Sequence, residues 1–117
     1  MGDASADFRK ELLKIMPGYK WTVHKSDTTS VLCATGVQTA GFNRLSTLSV
    51  SRVERGIGPW YEVKSAGFGR RSPWLGKNAD TTLARALRGL QNHYDSMAST
   101  YRRGAASLQT GRQKESA

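Results

Sequence analysis

Chemistry-bearing residues are scarce in this chain. It has one cysteine, Cys33, so it forms no internal disulfide, and two histidines, His24 and His93, far apart in sequence. No His or Cys pair has the spacing of a metal site. The nine carboxylates are scattered. Hydrolysis or group transfer needs converging acids, bases and nucleophiles. The sequence therefore predicts a non-enzyme with no metal and no cofactor. No apolar run approaches the roughly 18 residues of a membrane-spanning helix, so no membrane partner is expected. One cysteine and no secretory leader point to a reducing compartment, and the expected location is cytoplasmic. Cys33 lies in the apolar run Val31-Leu32-Cys33-Ala34 and is expected in the core.

What the chain does have is positive charge. Lys and Arg number 18 against 9 Asp and Glu, a net charge of +9. The cations run from Arg9 to Lys114 and do not form one tail. Between Arg70 and Arg103, seven basic residues stand with only two acidic ones, Asp80 and Asp95. Such an excess favours polyanions: nucleic acid, an anionic membrane surface or an acidic protein, the membrane surface being the weakest because no helix combines basic and aromatic faces in the usual way.

One phrase occurs twice: Ala40-Gly41-Phe42-Asn43-Arg44 and Ala66-Gly67-Phe68-Gly69-Arg70. Each copy brings a Gly, an aromatic and an Arg together. Such a group can approach a phosphate backbone, stack on a base and neutralise charge. The simpler reading is a strand end followed by a core aromatic.

The length fits one domain and can bury a core without disulfides or metal. Residues 1–6 read as a flexible start, 7–104 as a single α+β domain, and 105–117 as a polar basic tail. Phe8, Leu12, Ile15 and Met16 fall on one helical face, predicting a helix over about 6–16. Ser5 or Asp7 would cap it, and Pro17-Gly18 would end it. Tyr19–Lys25 alternates, with Trp21 and Val23 opposite Lys20, Thr22 and His24. Val31–Thr39, Arg44–Arg55 and Trp60–Ala66 read as further strands, with Gly36 as a bulge. Gly67–Asn78 reads as a loop. Leu83, Leu87, Leu90, Tyr94, Met97 and Tyr101 then step by three and four. They predict a helix over about 80–103, capped by Asp80.

The expected fold is α+β. A helix leads into an antiparallel meander of three or four strands, and a long C-terminal helix packs on one sheet face. Leu83, Leu87, Leu90 and Tyr94 should meet Trp21 and Leu12 in the core. Lys20, Thr22 and His24, with Arg52, are expected on the open face.

The stretch Gly67–Arg88 concentrates Phe68, Arg70, Arg71, Trp74, Lys77, Arg85 and Arg88. It leads into a helix N-terminus, where backbone N–H groups and the helix dipole favour anions. Arg forks hold phosphate oxygens, and Trp or Phe stacks on bases. These seven residues form the candidate nucleic-acid site, with Phe42 and Arg44 as a second loop. In the simpler reading, Trp74 and Leu75 plug the core while Arg70 and Arg71 only face water. Gly67-Phe68-Gly69-Arg70-Arg71 lacks the Gly-Lys-Ser/Thr of a nucleotide P-loop.

The order helix, strands, helix resembles that of double-stranded-RNA-binding domains. In that family the second helix opens on a lysine cluster that spans phosphates across a groove. The corresponding place here reads Lys77-Asn78-Ala79-Asp80-Thr81-Thr82-Leu83-Ala84-Arg85. It has no lysine cluster, and the third and fourth strands give more sheet than that family uses.

The sequence thus predicts a small, basic, non-catalytic nucleic-acid-binding module, on DNA or RNA. The alternative is a protein-interaction module, a small accessory or inhibitory protein of the kind phages and other mobile elements encode. Trp60, Trp74 and Phe68 would then be anchors in a partner's pocket.

Overall fold

Strand follows strand across this sheet without a crossover. The computed structural model describes residues 3–25, 30–40, 43–67 and 73–113. Helix α1 (Asp3–Ile15) leads into strands β1 (Lys20–Val23), β2 (Val31–Ala40), β3 (Asn43–Glu54), β4 (Pro59–Ala66) and β5 (Gly76–Asp80). Helix α2 (Leu83–Gln113) follows. The sheet is antiparallel in the order β1-β2-β3-β4-β5. The α+β class and the long helix packed on the sheet are as expected, but there is one more strand. β5 begins inside the segment read as a loop and runs on to Asp80, the residue expected to cap the helix.

Register sorts the side chains by face. One row across the sheet is Trp21, Gly36, Leu48, Ser65, Gly76, and the next is Val23, Ala34, Val50, Val63, Asn78. These rows carry the core. Trp21, Leu48, Val50 and Val63 are buried with Phe8 and Leu12 of α1 and Leu83, Ala86 and Leu90 of α2. Leu87 and Tyr94 pack at its margin. A fully buried Leu or Val contributes roughly 1.5–3 kcal/mol, so these rows fix which face the helices cover.

Close approach depends on missing side chains. A Cβ at Gly36 would lie 2.8 Å from the Trp21 ring, and one at Gly76 would lie 3.1–3.2 Å from Leu90 and Tyr94. Gly36 is therefore not the bulge; the register shift falls between Gln38 and Thr39. Positive φ angles at Gly56 (83°) and Gly58 (133°) shape the β3–β4 turn, where Arg55 N–H donates to the Gly58 carbonyl at 3.0 Å.

α1 is tied down at two points in its C-terminal half. The Trp21 indole N–H donates to the Met16 carbonyl at 3.0 Å, satisfying a carbonyl that the helix end leaves open. The Tyr61 hydroxyl donates to Glu11 Oε1 at 2.8 Å and accepts from Arg52 Nε at 3.2 Å. Burial raises the Tyr61 pKa above 10.0, and the Glu11 hydrogen bond adds to the rise, while Arg52 works against it. Arg52 thus lies on the helix-covered face and not on the open one, because it shares parity with Leu48 and Val50.

Both helix starts differ from expectation. α1 begins at Asp3, so Ser5 and Asp7 lie inside it. Asp80 ends β5, and its carboxylate accepts from the Thr81 N–H at 2.6 Å. The cap of α2 is Thr82, whose hydroxyl oxygen accepts from the Arg85 N–H at 3.2 Å. α2 also continues past Gly104 to Gln113. At 31 residues it is about 46 Å long, and from Thr100 to Gln113 every residue is exposed. This projecting length gives the molecule its 74 Å long axis.

Candidate functional site

The outer sheet face carries the complementary rows. They read Lys20, Val37, Thr47; then Thr22, Thr35, Ser49, Lys64, Lys77; then Cys33, Ser51, Glu62, Ala79; then Val31, Val53, Trp60. Both helices pack on the opposite face. Among the described residues, no element covers this one. Its centre holds only short side chains, most of them hydroxyls. Cys33 belongs here, half-exposed, with Sγ 3.6 Å from the Ser51 hydroxyl. The apolar run around it misled the core expectation, since alternate residues of that run face opposite ways. His24 is exposed, as expected, with Nε2 2.8 Å from the Thr35 hydroxyl.

Cations and indoles gather along β4 and its edge. Lys64 and Lys77 are direct cross-strand partners. Among the described residues, no carboxylate pairs with either. Like charges placed directly opposite destabilise a sheet. A bound anion would relieve that repulsion. The Lys64 ammonium lies 5.5 Å from the centre of the Trp74 ring, and the Arg55 guanidinium lies 4.5 Å from that of Trp60. Lys64, Trp74, Leu75, Gly76, Lys77 and His93 line an open hollow of about 470 Å³. Trp74 is 48% exposed and Leu75 60% exposed, so neither plugs the core. Trp60 is half-buried under Arg55.

The structure brings Trp74 and Lys77 together and sets Arg85 and Arg88 apart from them. Both arginines are exposed on α2, on the helix-bearing side of the sheet. Arg88 borders a separate groove of about 490 Å³ between α1 and α2, lined by Ile15, Met16, Leu87 and Tyr94 among others. Phe68, Arg70 and Arg71 lie outside the described residues, as does Phe42. Arg44 belongs to β3 and pairs with Thr39. Ala40 closes β2 and Ala66 closes β4, so both copies of the repeated phrase leave the same end of the sheet.

No family model matches the chain, and neither does any curated protein or solved structure.

Lys64, Arg55 and Trp60 did not enter the sequence-derived site. The available signal was the alternation Trp60-Tyr61-Glu62-Val63-Lys64, which puts Trp60 and Lys64 on the wet side. Their link to Trp74 and Lys77 depends on β5, which carries no such pattern. No helix among the described residues is long and apolar enough to cross a membrane.

Proposed function

We infer that this chain is a small non-catalytic nucleic-acid-binding module whose contact surface is the open sheet face and its β4–β5 edge. The observation that carries this reading is the cross-strand pair Lys64 and Lys77, with no carboxylate of the described residues at ion-pair distance, beside the half-exposed Trp74 ring. Cations supply the phosphate attraction, and an indole offers a stacking platform that tolerates any base. The surrounding hydroxyls of Thr22, Thr35, Ser49 and Ser51 are donors for phosphate or sugar. The net charge of +9 acts in the same direction.

Fluorescence anisotropy with labelled single-stranded and duplex DNA and RNA tests this. Binding at low salt that weakens steeply at moderate salt is expected, because counterion release drives it. The purified protein should also carry nucleic acid that salt removes. Absence of binding to all four probes at low salt refutes the reading.

A second reading, a protein-interaction module, is favoured by a different observation. Tyr101 and Leu108 lie on one stripe of α2 and are 67% and 72% exposed. An isolated helix end of this kind gains little from propensity alone, and a protein partner would cover it.

A further inference from the structure

We propose that the open sheet face binds single-stranded RNA, laid along β4 between Trp60 and Trp74. This rests on the nucleic-acid reading and narrows it to one substrate class.

A single strand is favoured by the placement of the indoles. Duplex readout uses an element that enters a groove, such as a helix or a two-stranded ribbon. Here the surface is the broad face of five strands, with an aromatic at two places along it. Aromatics bind bases that have left the stack. Each indole is backed by a cation, Arg55 on Trp60 and Lys64 on Trp74. The cation holds the ring and supplies charge for the phosphate beside the stacked base. Trp60 and Lys64 are four residues apart on β4, about 13 Å at the rise of an antiparallel strand. Stacked neighbours in one strand lie only about 3.4 Å apart. The two indoles therefore take separate bases, and the intervening nucleotides cross the face between them.

RNA is favoured by what lies in that interval. Ser51 presents a hydroxyl and Glu62 a carboxylate in the row between Trp60 and Lys64, and the Ser49 hydroxyl stands beside Lys64. A carboxylate accepts hydrogen bonds and repels phosphate. The 2′-hydroxyl of ribose can donate to it, and deoxyribose has no such donor. Glu62 is the one carboxylate in the outer rows described above. The short side chains around it let a sugar come close to the strands.

Labelled oligonucleotides of roughly 12 nucleotides, as RNA, as DNA and as duplexes of each, test the proposal with the full chain. The RNA strand should bind more tightly than the DNA strand and both duplexes. It should quench fluorescence from Trp60 and Trp74 while buried Trp21 keeps its emission. Trp74→Ala and Trp60→Leu should each weaken RNA-strand binding roughly 5- to 150-fold, the range for losing one stacked base. Trp60→Leu keeps an apolar side chain against Val53; should it fail to fold, Trp74→Ala and the quenching decide. Glu62→Ala should narrow the preference for RNA over DNA. Equal or tighter binding of the DNA strand or of a duplex overturns the proposal. So does binding of the RNA strand without quenching, or unchanged affinity of Trp74→Ala. In those cases the wider nucleic-acid reading stands; if no probe binds at low salt, both fall.

Discussion

Asn78 occupies the space where a side chain at position 89 would lie. Its amide nitrogen donates to the Ala86 carbonyl at 3.0 Å, and a Cβ on Gly89 would sit 2.9 Å from its Cγ. An edge strand thus holds the long helix through one side-chain amide. The arrangement explains a glycine inside a helix, which costs about 1 kcal/mol relative to alanine.

Gly89→Ala should therefore destabilise the protein even though alanine is the better helix former. Overpacking costs about 1–3 kcal/mol, and the Asn78 bond would be disturbed as well. Adding Asn78→Ala should recover part of the loss, with a coupling of about 0.5–3 kcal/mol for touching residues. Urea titrations of the two single variants and the double variant measure this. A more stable Gly89→Ala protein would show that Asn78 moves aside freely.

The same contact marks where the sequence stops being legible. Trp21 and Val23 against Lys20 and Thr22, or Leu83 through Tyr94, declare their element through their own periodicity. Gly76-Lys77-Asn78-Ala79-Asp80 does not, since it has no β-branched or aromatic residue. It is a strand because β4 pairs with it and because Gly76 and Asn78 admit α2, and this context outweighs propensity. The helix beyond Gly104 failed for the opposite reason. Ala105, Ala106, Leu108, Gln109 and Arg112 are good helix formers, and two glycines do not stop them. Half of the proposed surface hung on the missed strand. Lys77 and Trp74 were legible as residues, but their juxtaposition with Lys64 was not.

Leu83 and Leu108 lie on one stripe of α2 with opposite environments. Leu83 is fully buried and Leu108 is 72% exposed. Leu83→Ala should cost about 2–5 kcal/mol, and Leu108→Ala should stay within about 0.5 kcal/mol. Leu87, at the core margin, should fall between them. Thermal melts decide, and a large loss at Leu108 in the isolated protein would mean that the projecting helix is covered by another copy.

Tyr61 should make stability fall at alkaline pH. Its pKa in the folded state lies above 10.0, first because it is buried and then because it donates to Glu11. The neutral form is favoured by folding, so this contribution is complete below pH 10 and is lost as pH rises through the folded value. Ultraviolet titration should show one phenolate forming later than those of exposed tyrosines. Tyr61→Phe should remove that late step and flatten the alkaline loss of stability. An unchanged titration would mean that Tyr61 ionises like a free tyrosine.

Two pairs of cations distinguish the two sides of the sheet as the binding surface. Lys64 and Lys77 are cross-strand neighbours on the open face. Arg85 and Arg88 stand three apart on α2, exposed, on the helix-bearing side. A strand held on the open face touches the first pair and passes by the second. Replacing Lys64 and Lys77 together by Ala should weaken binding across all sequences. It should also flatten the salt dependence by about two units of slope, one for each phosphate contact. Arg85→Ala with Arg88→Ala removes the same formal charge, so it controls for the long-range attraction of a basic protein. That second double variant should lose less affinity and keep most of the slope. Neither pair contributes to the buried core, and melts should confirm that both variants remain folded. If the arginine pair carries the slope and the lysine pair does not, the contact surface lies on the helix side, at the start of α2, and the open face is left without a role in binding.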